Sequence, residues 1–154
     1  MSDPSNRPLP GTTPGLDEQL DRLPTEGGKV RVERGHTQTE VEVVEADRLG
    51  VRVRGVDVHR DRPVDVETEA RSLPDRLRAL PERVAPVEVD ATLNGARLRT
   101  RPDELRGKEF FEVDVAPSHT SIRRTRVTPE GDRVETDWTL TREQLDRLID
   151  ETSG

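Results

Sequence analysis

The sequence predicts an α+β fold, in which a curved and predominantly antiparallel sheet of about seven or eight short strands is covered by a middle helix and a C-terminal amphipathic helix. Three observations predict it. Valines alternate with charged residues between Lys29 and Val66, turn signals mark two later hairpins, and the last fifteen or so residues carry both a helix cap and an apolar face.

The alternating region contains valines two residues apart, with charged residues between them. These valine pairs are Val30 with Val32, Val41 with Val43, Val51 with Val53, and Val56 with Val58. The pattern is typical of antiparallel strands that have one solvated face. Turns are predicted near Gly35-His36 and from Asp47 to Gly50.

If the valines of the second and third strands lie opposite each other, the charged residues between them are also brought into opposing positions. This register places Glu40 and Glu42 opposite Arg52 and Arg54.

The middle helix is predicted within residues 66–80, where Ala70, Leu73, Leu77 and Leu80 have helical spacing. Pro74 interrupts this run. We therefore expect a cap at Ser72 or Leu73, with Pro74 in the first turn of a helix that ends before Pro81.

Two hairpins follow. Asn94-Gly95 favours a two-residue type I′ turn, which sets Leu93 opposite Ala96, Ala91 opposite Leu98, Asp90 opposite Arg99 and Glu88 opposite Arg101. Residues 128–131 (Thr-Pro-Glu-Gly) predict a type I turn that joins strands around 122–127 and 133–139. Phe111, Val113 and Val115 indicate a further strand before the second hairpin.

The terminal helix is predicted from about Thr141 to Glu151. Thr141 and Gln144 have the spacing of a capping box, and Leu140 with Leu145 has that of a hydrophobic staple. Leu145, Leu148 and Ile149 form its apolar face.

The predicted organisation is a disordered, proline-rich tail over residues 1–15, followed by one domain over residues 16–152. That domain begins with a short helix over residues 16–23, marked by Leu16, Leu20 and Leu23. The six residues 18–23 recur as residues 143–148. Two explanations remain open. One is that two amphipathic turns share a sequence because the chain uses few residue types. The other is that the N-terminal segment docks on a groove equivalent to that of the terminal helix, including one in a second subunit.

The composition restricts the function classes. The chain has no cysteine, a net charge of −7, no apolar run long enough for a membrane span and no recognisable signal peptide. We expect a soluble cytoplasmic protein without a thiol nucleophile or thiolate metal site.

No motif indicates a catalytic, cofactor-binding or metal-binding residue, so we predict no enzyme activity and no cofactor. His36, His59 and His119 form no local ligand pair such as His-x-His, and their convergence through folding stays an open alternative. No glycine-rich phosphate loop and no nucleophile elbow are present.

Arginine stripes raise the possibility of nucleic-acid binding. Arg97, Arg99 and Arg101 share one strand face, and Arg123, Arg124 and Arg126 lie close together in a later strand. The net charge is negative and only three residues are aromatic, so nucleic acid is an unfavoured partner.

The leading hypothesis is a non-enzymatic protein-interaction or structural module that acts through surface or edge-strand contacts with an unidentified protein partner or as a homodimer. One alternative is an enzyme or a small-ligand or metal-binding protein whose site forms only in the fold. The other is a nucleic-acid-binding protein that uses the arginine stripes.

Overall fold

The computed structural model describes residues 15–90, 92, 94–102 and 108–153. Within them lie three helices and nine strands. The helices are α1 (Leu16–Asp21), α2 (Val66–Arg76) and α3 (Arg142–Thr152). The strands are β1 (Gly28–Arg34), β2 (Thr37–Ala46), β3 (Val51–Arg60), β4 (Ala85–Asp90), β5 (Gly95–Arg99), β6 (Glu109–Ala116), β7 (His119–Val127), β8 (Arg133–Thr136) and β9 (Trp138–Leu140).

The strands form one open, curved sheet in the order β1-β2-β3-β7-β6-β5-β4, and every ladder is antiparallel. The predicted fold class is therefore confirmed. The predicted final strand over 133–139 is divided at Asp137, because β8 pairs with β7 and β9 crosses to pair with β3. This division gives nine strands where about seven or eight were expected.

The predicted valine pairs all face one buried core. A single apolar cluster contains these valines together with the leucines of α1, α2 and α3, so the helices cover one face of the sheet. The register of β2 and β3 differs from the prediction. Glu40 lies opposite Asp57 and Glu42 opposite Gly55, whereas Arg52 faces Glu45. Local irregularities in this ladder let Val53 and Val56 both face the core although they are three residues apart.

Helix α2 begins earlier than predicted. Its N-cap is Asp65, whose side chain accepts the backbone N–H of Thr68, so the caps predicted at Ser72 or Leu73 are wrong. Pro74 lies within the helix near its C-terminal end. The missing proline N–H therefore interrupts only the last turn, while Val66, Ala70 and Leu73 hold the preceding turns in the core.

The first predicted hairpin has a different register. Asp90 faces Gly95, Glu88 faces Arg97 and Ala85 faces Arg99, so the predicted Asp90–Arg99 and Glu88–Arg101 pairs are wrong. Asn94 does adopt a positive φ of 50°, but Gly95 is already the first residue of β5 and faces Asp90, so Asn94 and Gly95 do not form the predicted two-residue turn. Ala91 and Leu93 lie outside the described residues; their expected partners face other residues, with Ala96 opposite Val89 and Leu98 opposite Pro86.

The second hairpin and the terminal helix agree with the sequence analysis. Gly131 has a φ of 88° and its N–H bonds to the Thr128 carbonyl at 2.9 Å, where β7 turns into β8. At α3, Thr141 and Gln144 form the reciprocal capping box, and Leu145, Leu148 and Ile149 are buried.

The N-terminal helix is shorter than predicted and packs on the chain itself. α1 ends at Asp21, Leu16 and Leu20 are buried, and Arg142 of α3 forms ion pairs with Asp17 and Asp21. Residues 1–14, the bulk of the predicted tail, lie outside the described residues.

Candidate interaction site

The face of the sheet opposite the helices is polar. We call it the polar face and define it by Asp57, His59, Glu112, Asp114 and Arg123, which alternate with core-facing residues along β3, β6 and β7. Neighbouring strands bring these side chains together: Asp114 lies opposite Ser121 and Glu112 opposite Arg123.

Glu112 is the centre of the charge network on this face. Its side chain is only 10% exposed, and it contacts the guanidinium groups of Arg99, Arg133 and Arg97 at 2.9, 3.4 and 3.5 Å. Thr125 also donates to its other oxygen at 3.0 Å. Burial raises the pKa of Glu112, but the hydrogen bonds from Arg99 and Thr125 and the nearby positive charges outweigh it and hold the pKa below its ordinary value.

Phe110 lies on the polar face beside this cluster and is 6% exposed. The guanidinium carbons of Arg99 and Arg133 each lie 5.5 Å from the centroid of its ring. The aliphatic stems and planar groups of the two arginines thus shield an aromatic ring from water on the otherwise charged face.

The predicted arginine stripes do not form one uncompensated surface. Arg97 and Arg99 lie on the polar face with Arg123, and all three are paired with carboxylates. Arg124 points to the opposite face, where it pairs with Glu109 at 2.9 Å and lies 4.6 Å from the Phe111 ring centroid. Arg101 follows β5 and is exposed. The sequence signal for a basic face came from adjacent residues that strand geometry separates.

Two of the three histidines converge. His59 and His119 are cross-strand neighbours on β3 and β7, with stacked rings whose centroids are 4.9 Å apart. His119 Nε2 lies 3.1 Å from Asp57 Oδ1, and Arg123 donates to Asp57 Oδ2 at 2.8 Å. Their separation of sixty residues hides this contact from any sequence motif.

His36 lies apart from this pair, at the β1–β2 turn, 3.4 Å from Asp61. A depression of about 400 Å³ is lined by His36, His59, Glu33 and Asp61, among others. Glu33 and Asp61, the two carboxylates of this lining, are both exposed. In the described residues, no three histidine, aspartate or glutamate side chains are arranged to hold a metal ion.

A second depression, of about 800 Å³, lies at the other end of the molecule. It is lined by Glu109, Arg124, Trp138 and Gln144, among others, and by no histidine. Arg124 is paired with Glu109 there at 2.9 Å.

The two edges of the sheet differ. At the β1 edge, the side-chain amide of Gln19 accepts from Arg31 N–H at 2.9 Å and donates to the Arg31 carbonyl at 2.6 Å. This pair of hydrogen bonds reproduces one rung of a β ladder, so α1 closes the edge at that point.

The β4 edge has no such cover in the part of the chain that the structure describes. β5 is its one strand neighbour there, and residues 85–89 are all exposed. Val87 and Val89 are 54% and 47% exposed, which is unusual for valines in a strand. The ladder is irregular between Pro86 and Glu88, and Pro86 has no N–H, so the stretch able to pair is residues 87–90.

Comparisons of the chain with protein-family models, curated proteins and solved structures found no match. Among the described residues, no helix has both the length and the apolar character needed to span a bilayer.

Proposed function

We propose that this chain is a non-enzymatic protein-interaction module that binds an extended segment of another protein along strand β4. The observation that carries the proposal is the difference between the edges: the Gln19 side chain fills the β1 edge at Arg31, whereas β4 is exposed and carries two exposed valines. An open strand edge offers backbone N–H and C=O groups that a partner strand completes.

The side chains of β4 indicate the chemistry of the partner. Val89 lies on the helix side, opposite Ala96, while Glu88 and Asp90 alternate with it on the other side. Glu88, Asp90 and Asp114 also line a depression of about 280 Å³ next to this edge, together with Arg97, which pairs with Asp114 at 2.7 Å. A strand with apolar residues on one face and lysine or arginine on the other therefore complements β4 in both apolarity and charge.

A second copy of this chain fits the edge less well. Antiparallel pairing of β4 with itself around Glu88 sets the two Glu88 carboxylates opposite each other, and like charges in directly opposed positions are destabilising. The proposal therefore names a different protein as the partner, and homodimerisation becomes an outcome of the test.

The experiment uses the full chain and displayed ten-residue peptides. The selected peptides should alternate apolar with basic residues. When such a peptide is added, the changes in the backbone amide chemical shifts of the chain should concentrate in β4 and β5. Val87→Lys/Val89→Lys should abolish binding because it places charge on the edge. Leu49→Lys is the matched control, since Leu49 is 85% exposed but lies in the β2–β3 turn.

Two results would overturn the proposal. One is peptide binding that the double lysine variant leaves intact, which would put the site elsewhere. The other is a concentration-dependent dimer, seen by sedimentation and lost in the same variant, which would make the partner a second copy.

A further inference from the structure

We propose that His59 and His119 form a binding site for a divalent transition-metal ion of the Zn²⁺, Cu²⁺ or Ni²⁺ type, with Asp57 as the carboxylate that orients His119. This inference is independent of the proposed function, and it goes beyond the sequence analysis, which predicted no metal-binding residue.

The first argument is the distance between the imidazoles. The two residues are directly paired across β3 and β7, and their ring centroids are 4.9 Å apart. Zinc–nitrogen bonds measure about 2.0–2.1 Å, so two nitrogens on one ion lie within about 4 Å of each other. The rings are stacked with an interplanar angle of 25°, and imidazole lone pairs lie in the ring plane. The exposed His59 ring must therefore rotate to direct a nitrogen towards an ion bound at His119.

The second argument is the contact between Asp57 and His119. An ionised carboxylate only accepts hydrogen bonds, so the 3.1 Å contact is a hydrogen bond when the neutral His119 ring carries its proton on Nε2. The lone pair is then on Nδ1, available to a metal. Histidine ligands commonly donate their other ring N–H to a carboxylate in this way, which fixes the tautomer and raises the basicity of the ligand nitrogen.

The third argument is that Arg123 holds the Asp57 side chain in place. Arg123 Nη2 donates to Asp57 Oδ2 at 2.8 Å, while Arg123 Nη1 donates to the Ile122 carbonyl at 3.0 Å. The Asp57 side chain is 26% exposed. The chain Arg123–Asp57–His119 therefore positions one ligand before any ion arrives, which lowers the entropy lost on binding.

The metal type follows from the ligands. Imidazole nitrogen suits zinc, copper and nickel, whereas magnesium and calcium prefer oxygen ligands. Two imidazoles leave coordination positions open to water or to a side chain of a bound partner.

The test measures Zn²⁺ and Cu²⁺ binding to the full chain without a histidine tag by isothermal titration. We expect one ion per chain. His59→Asn and His119→Asn should each lower the affinity at least tenfold, and Asp57→Asn should lower it by about 10–100-fold. His36→Asn is the matched control and should bind like the parent, because His36 pairs with Asp61 at the β1–β2 turn and is not one of the two stacked histidines. With Cu²⁺, paramagnetic broadening should centre on residues 57–59 and 119–121.

Three outcomes would overturn the proposal. They are the absence of saturable binding, equal loss in His36→Asn and His59→Asn, and retention of full affinity in either His59→Asn or His119→Asn. A matching amide spectrum for each variant separates loss of the site from loss of the fold.

Discussion

The guanidinium group of Arg123 occupies the space that a Cβ atom at position 55 would need. A methyl group added to Gly55 would overlap the end of the Arg123 side chain. This side chain reaches from β7 over Gly55 to contact Asp57, two residues further along β3. Gly27 contrasts with it, because a Cβ there would overlap the backbone carbonyl of Val43, and Gly27 has a φ of +85°. A flexible side chain can move aside, whereas strand backbone cannot.

Alanine at these two glycines should therefore have unequal effects on stability. Gly27→Ala should cost about 2 kcal/mol or more, since it adds backbone strain of about 1–3 kcal/mol to the overlap. Gly55→Ala should change stability by less than about 1 kcal/mol, because lower unfolded-state entropy offsets the displacement of Arg123. Urea unfolding of both variants measures this, and equal costs would contradict it.

Truncation of α3 leucines should strongly destabilise the chain. Leu145 and Leu148 are fully buried, so replacing either with alanine should cost about 2–5 kcal/mol in equilibrium unfolding. Leu49→Ala, at an 85% exposed leucine, should stay within about 0.5 kcal/mol of the parent. Costs below about 0.5 kcal/mol for both buried leucines would place α3 outside the cooperative unit.

Gln19→Ala should open the β1 edge. The Arg31 N–H donates to the Gln19 side chain, so its removal should speed exchange of the Arg31 amide hydrogen. The amides of Val30 and Val32, which alternate with Arg31 and point towards β2, should keep their protection. Glu18→Ala is the control, since among the described residues Glu18 pairs with the exposed Arg22. Unchanged exchange at Arg31 in Gln19→Ala would show that the contact does not protect the edge.

Glu112 should make stability depend on acid pH. The pKa of Glu112 in the folded state lies below the ordinary value of 4.5. The stabilisation of the folded state by ionised Glu112 is therefore fully present above pH 4.5 and is lost as the pH falls through the folded-state pKa. Glu112→Gln should therefore lower stability at neutral pH and flatten the decline below pH 4.5. Glu135→Gln, at an exposed glutamate on β8, is the control. If stability declined below pH 4.5 as steeply in Glu112→Gln as in the parent, the role given to Glu112 would be contradicted.

The protein should not bind to a DNA column. The paired arginines and the net charge of −7 leave little gain from counterion release. We expect no binding to duplex or single-stranded DNA columns at about 150 mM salt, where screening acts over roughly 8 Å. Tight binding with a steep salt dependence, lost on Arg123→Ala and Arg126→Ala, would support the nucleic-acid alternative instead.

The candidate sites were less predictable than the fold. The valine alternation and the Thr141 capping box are local patterns, and both appear in the structure. The contact between His59 and His119 depends on β3 lying beside β7, which joins residues about sixty positions apart. The Asn94-Gly95 signal predicted a connection between β4 and β5 but set the wrong register, because Gly95 itself begins β5 and faces Asp90.

The sequence by itself determined the class of fold, the positions of the strongest turns and the core face of the terminal helix. These depend on the period of apolar residues and on local backbone preferences, which act within a few positions. The tertiary structure decided which charges meet, since Arg99 pairs with Glu112 from β6 and not with Asp90 from its own hairpin. It also decided which edge is closed, because Gln19 reaches Arg31 only after α1 packs beside β1. Strand order and register arise from the packing of the whole core, so the chemistry on the polar face is a consequence of long-range contacts that no local pattern encodes.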